Sequence, residues 1–231
     1  MRKIVWLASI SLFVSINSFC QDEPMTPVKD ARLIFSDTPF SDPKSGKTEF
    51  NTSDFIYGRL ELKDQTVWNA FEMKSLTTPN LFLRCWVMVY HSSKNSSPWQ
   101  SWEYMLVKRG SEKNKWFNFD LLPDPSKATT VMGPLWDFDP AVAAGPLYQQ
   151  IALREFNVSG EYTIKVKIFL EGYDAWGKET AISKWPSVEG EFKLVYNEKD
   201  IPLILKNYTL ANEKITIKFK QYLKSIGRVT R

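Results

Sequence analysis

His91, the only histidine of the chain, is followed by Ser92 and Ser93 and then by Ser97. A hydrolase triad would use it to draw a proton from a serine hydroxyl while a carboxylate orients its ring. Neither Ser92 nor Ser97 stands in a glycine-bracketed nucleophile elbow, so a turn histidine at a strand end is the plainer reading. Zinc asks for clustered histidine and cysteine, and one of each cannot close a site. Oxygen ligands are harder to set aside: Asp137 and Asp139, with Asp120 and Asp124 upstream, could offer carboxylates to calcium. The spacing lacks the full EF-hand set, however, and Asp139-Pro140 is also an ordinary turn opener. Glycoside hydrolysis needs two carboxylates flanking a sugar bond, and Glu103, Glu171 and Asp174 lie near aromatic residues. No cofactor motif stands out. The expectation is a protein with no catalytic residue, no metal and no cofactor; a carboxylate-dependent carbohydrate-active enzyme is the competing class.

Aromatic residues are the better lead. Trp99, Trp102 and Tyr104 crowd one turn-to-strand entry just after Pro98, and Tyr173 and Trp176 sit between Gly172 and Gly177 with Asp174 among them. Sugar-binding modules stack exposed rings on pyranoses, with polar help of the kind Gln100, Glu103 and Asp174 would give. Protein interfaces use the same residues as anchors. The bland alternative is that these rings pack under loops; it is weakest for Trp176, whose flanking glycines and acid suit an exposed turn. Trp99, Trp102, Tyr104, Tyr173, Asp174 and Trp176 are therefore the candidate ligand-binding residues.

The elements that would carry them are delivered outside the cytoplasm. Arg2 and Lys3 precede the apolar run 4–16, which has signal-peptide length and is too short to span a bilayer. Cleavage after Cys20 puts Ser18 and Cys20 at the small-residue positions, predicting a soluble protein of the periplasm, the cell surface or the medium. Lipidation of Cys20 is the alternative, disfavoured by the bulk of Phe19 before it. The mature start Gln21-Asp22-Glu23 resembles that of exported proteins of Bacteroidota-type bacteria. About 210 residues remain, enough for one large domain. Their only cysteine is Cys85, set in an apolar run, so no internal disulfide forms and a buried thiol is expected.

Net charge is +4, but it is unevenly held: residues 206–231 carry seven basic side chains against one acid, Glu213. The body before them is acidic and would repel phosphate, which argues against a nucleic-acid surface. Lys214, Lys218, Lys220 and Lys224 are candidate partner-binding residues toward an acidic protein or an anionic surface. The plain alternative is a helix docked by its apolar face, with its lysines in water.

Strand patterns recur at 31–35, 55–62, 81–90, 101–108, 116–121, 162–170 and 191–196, separated by polar turns. The clearest is 158–168: Tyr162, Ile164, Val166 and Ile168 share one face, Thr163, Lys165 and Lys167 the other, and Gly160 supplies the turn. This Gly-x-Tyr-x-Ile-x-Val pattern resembles the penultimate strand of immunoglobulin-like and fibronectin-like sandwiches. The resemblance implies a tyrosine-corner bond from Tyr162 back across the turn; it names a scaffold and transfers no function. Prolines punctuate 123–146, and 147–155 reads as a short helix begun near Pro146. In the tail, Asn212 can cap a helix over 213–226 with Ile215 and Phe219 on its apolar face, following a strand at 201–205; the alternation at 215–220 leaves a strand open.

The expected architecture is an all-β, immunoglobulin-like antiparallel sandwich with a long loop and short-helix insertion. Its parts are a signal peptide (1–20), an extended lead-in (21–30), the sandwich (31–205) and a basic C-terminal segment (206–231). The expected function is an exported, non-enzymatic binding or interaction protein of a bacterial envelope, with an envelope protein or glycan as partner and no membrane span after signal removal. A structural subunit of an envelope assembly is the other alternative.

Overall fold

The computed structural model describes residues 25–40, 46–71, 81–91, 99–107, 113–130, 132–133, 144–152, 156, 158–169 and 185–225. Within these, the strands are β1 (Met25–Pro27), β2 (Ala31–Ser36), β3 (Glu49–Asn51), β4 (Ile56–Leu62), β5 (Leu81–His91), β6 (Trp99–Val107), β7 (Trp116–Leu122), β8 (Met132–Gly133), β9 (Gly160–Phe169) and β10 (Trp185–Tyr196). The helices are α1 (Val67–Ala70), α2 (Pro146–Ala152) and α3 (Ile201–Ser225).

One sheet runs β1-β10-β9-β5-β6-β8, with β3 also on β10; the other is β2-β4-β7. Alternation organises the larger sheet, while β4 of the smaller one is buried at every position but Glu61. On β9, Tyr162, Ile164, Val166 and Ile168 are buried while the residues between them reach solvent. On β7, Phe117, Phe119 and Leu121 are buried in the core cluster that also holds Leu60 of β4. The two sheets meet through Phe35 of β2 and Phe192 of β10, whose rings lie 4.8 Å apart. Gly190 permits this approach, since a Cβ there would sit 2.7 Å from that of Leu33. On the outer face of the larger sheet, opposed pairs Lys167–Glu189 and Lys165–Glu191 stand 2.5 and 3.9 Å apart. The Tyr162 hydroxyl donates to Val158 O at 2.7 Å, the back-bond expected across the Gly160 turn.

The all-β, wholly antiparallel immunoglobulin-like expectation is corrected in two respects. First, β1 and β3 both pair parallel to β10, so the larger sheet is mixed. The chain leaves β10's edge after β1, crosses to the other sheet as β2, and returns to the same edge as β3. Second, the content is mixed α/β: α3 is 25 residues long and belongs to the core. It begins where a strand was expected, at Ile201, directly after a turn over Glu198–Asp200 capped by Asn197. Ile204, Ala211 and Ile215 are buried, with Tyr208 and Phe219 packed beside them, a helical spacing that the apolar core can fill. Each such isoleucine contributes about 1.5–3 kcal/mol by leaving water. Asn212, expected as a cap, instead lies mid-helix and accepts the Ala144 amide at 2.6 Å.

Candidate functional site

The outward positions of β2, β4 and β7 form rows across the smaller sheet. Arg32 of β2 is the register partner of Glu61 of β4, which is in turn the partner of Trp116 of β7; Ile34, Arg59 and Asn118 form the next row. Chemistry knits the rows together. Arg32 donates from Nε and Nη2 to Glu61 Oε2 at 3.1 and 2.8 Å. The other carboxylate oxygen lies 3.3 Å from Arg59 Nε, close enough for charge attraction but off the hydrogen-bond axis, which leaves that Nε without a bonded acceptor among the described residues. The Arg59 guanidinium rests 4.5 Å from the centre of the Trp116 ring and 5.9 Å from that of Phe40. Arg59 is 7% exposed, whereas Trp116 is 42% exposed. A buried cation thus packs on one face of an indole whose ring remains partly exposed to solvent.

Beside this pair opens a cleft of about 580 Å³ whose polar lining includes Asp30, Arg32, Glu61, Lys63 and Lys115. Asp30 reaches its rim through a left-handed backbone, φ 55°, which short acidic side chains tolerate. Its carbonyl accepts the Lys63 amide at 3.2 Å. Lys115 Nζ donates to Lys63 O at 3.4 Å. Cations outnumber carboxylates around the opening, so its potential is positive.

A second polar cluster lies at the end of β7. Buried Asp120 accepts the amides of Thr129 and Thr130 at 2.6 and 2.8 Å, and its own amide donates to Thr130 Oγ1 at 3.0 Å. Burial raises its carboxyl above the ordinary range, opposed by those two amides and by Lys218. Tyr57 accepts the Asp124 amide at 2.9 Å through its hydroxyl, and burial pushes that phenol up to about 12. Burial works against the Asp124 charge, but the Ser126 hydroxyl and amide and nearby Lys127 outweigh it and hold the carboxyl below its usual range. The Asp120 and Tyr57 bonds fold the 123–130 loop onto the sheet and the Ser126–Asp124 bonds brace it within, which is a structural role.

Of the residues singled out from sequence, Trp99, Trp102 and Tyr104 are placed only as backbone in β6, opposite Val89, Trp86 and Arg84 of β5, and their side chains lie outside the described residues. Tyr173, Asp174, Trp176, Glu171, Asp137, Asp139 and Cys20 also lie outside them, as do the side chains of His91, Cys85 and Glu103. Lys214 and Lys218 turn inward: Lys214 Nζ donates to Ser126 O, and Lys218 Nζ to Ala128 O at 2.5 Å. Lys220 and Lys224 are exposed. Among the described residues no three His, Cys, Asp or Glu side chains gather as a metal would require. Among them, too, no helix is long and apolar enough to cross a membrane. No family model matches the chain, and no curated protein matches it in sequence.

Arg59 and Trp116 were missed as site residues because 57 positions separate them and only the β4–β7 pairing brings them together. A signal was nonetheless present. In the alternating run 116–121, Trp116 takes the polar phase, an unusual position for the largest apolar side chain.

Proposed function

We propose that this is an exported, non-enzymatic binding or interaction protein of a bacterial envelope, and that its partner, a glycan or a protein, docks in the Arg59–Trp116 cleft. One observation carries the reading: an indole 42% exposed, held from beneath by a buried arginine. A ring already fixed in place loses little entropy when a ligand stacks on it, so the binding cost is reduced in advance. Arg32, Lys63 and Lys115 at the rim can then select for polar or anionic groups. The leader at 1–20 supports the exported location.

Photo-crosslinking tests this. A benzophenone amino acid placed at Lys63 should capture a discrete glycan or protein from native envelope, and Trp116→Ala in the same chain should abolish the capture. Equal capture with and without Trp116 would rule the cleft out.

A further inference from the structure

Helix α3 buries one face and leaves an unexplained apolar row on the other. Leu203, Leu210 and Ile217 are 51, 45 and 58% exposed and recur every seven residues. At 1.5 Å per residue the row is about 21 Å long. Seven residues complete nearly two turns, so all three lie on one line down the helix. Aliphatic side chains aligned in this way mark an interface more often than isolated surface leucines do.

The charges beside the row point to its occupant. Lys206 and Glu213 lie on the same flank of the row, both exposed, and neither has an ion-pair partner among the described residues. Exposed Glu198 precedes the helix beside exposed Lys199, and exposed Lys220 and Lys224 close it. A surface of this kind is complementary to itself when reversed.

We propose that the exposed face of α3 is the interface between two copies of this chain, crossing antiparallel with Leu210 on the twofold axis. In that arrangement Leu203 of each copy meets Ile217 of the other. Glu213, three residues from the axis, then lies within one residue's rise, about 1.5 Å, of the level of its neighbour's Lys206, four residues from it, and symmetry makes this pair twice. Glu198, just ahead of each helix, approaches Lys220 and Lys224 of the other, and the two helix dipoles oppose. A uniformly anionic surface would answer the lysines but leave Glu213 repelled; a second copy answers both signs. This inference is independent of the cleft on the smaller sheet.

Sedimentation velocity over a concentration series tests it with the exported chain, purified without further truncation. The native chain should shift from monomer to dimer as concentration rises. Leu210→Lys, at an exposed position, should stay monomeric and melt where the native chain does at concentrations too low for it to dimerise. Lys206→Glu and Glu213→Lys should each weaken dimerisation by about tenfold, and the two together in one chain should restore it. A native protein that remains monomeric throughout would overturn the proposal, as would a dimer indifferent to Leu210→Lys or a double reversal that fails to recover. Cosedimentation of a monomeric native protein with phosphatidylglycerol vesicles, lost in Leu210→Lys, would assign the face to lipid and overturn it as well.

Discussion

Phe119 covers Gly58 so closely that a Cβ on Gly58 would fall 2.1 Å from the ring's Cζ. The two residues are register partners on β7 and β4, and this contact lies next to the pairing that brings Arg59 toward Trp116. Phe119 is almost wholly buried, so its ring has nowhere to retreat. Gly58→Ala should therefore cost about 1–3 kcal/mol by overpacking. Urea unfolding would measure it, and Phe119→Leu added to Gly58→Ala should recover part of the loss. An alanine accepted without cost would mean the strands are not packed in this register.

Arg59 is held by geometry that a lysine cannot reproduce. The planar guanidinium spans Phe40 and Trp116 while facing Glu61; an ammonium would keep the charge but lose the stacking. Arg59→Lys should free the indole, raising acrylamide quenching of Trp116 fluorescence, read as the difference from a Trp116→Phe background. It should also weaken ligand binding several-fold. Unchanged quenching would show that the stack does not fix the ring.

Asp120 gives the fold a pH signature. Its folded carboxyl is raised above the ordinary 3.8, so the folded chain binds that proton more tightly than the unfolded chain does. Its contribution to stability is therefore greatest below the unfolded value and is lost as pH rises through the folded one. Asp120→Asn should remove this decline: the native-minus-variant difference in urea midpoint should fall as pH climbs from about 4 into the mildly acidic range. A difference that grows with pH would show that the Thr129 and Thr130 amides outweigh burial.

β9 was legible because one of its faces is buried while the residues between reach solvent; β4, by contrast, is buried at every position but Glu61. β4 and β7 were readable from aromatic and β-branched runs between polar turns, β9 from alternation, and the Tyr162 back-bond from the residues around Gly160. β1, β3 and β8 run for three residues or fewer, too short to show a period. The first half of β10 was hidden by Pro186 and Gly190, residues that weaken a strand pattern; Gly190 is there to admit Leu33. The tail misled for a different reason. Residues 215–220 alternate like a strand, yet Ile204, Ala211 and Ile215 all pack into the core along one helical face. The helix start was placed too late because Asn212 has the chemistry of a cap and uses it on Ala144, a residue distant in sequence. The cleft was illegible for want of register: neither Arg59 nor Trp116 is distinctive until β4 and β7 are paired.

The most direct measurement is the affinity of the native chain and of Trp116→Ala for the partner captured at the cleft, by calorimetry on proteins of matched melting temperature. Loss of an exposed aromatic anchor should cost about 2 kcal/mol or more, a drop in affinity of roughly thirtyfold. The same affinity in both proteins would contradict binding at the Arg59–Trp116 cleft.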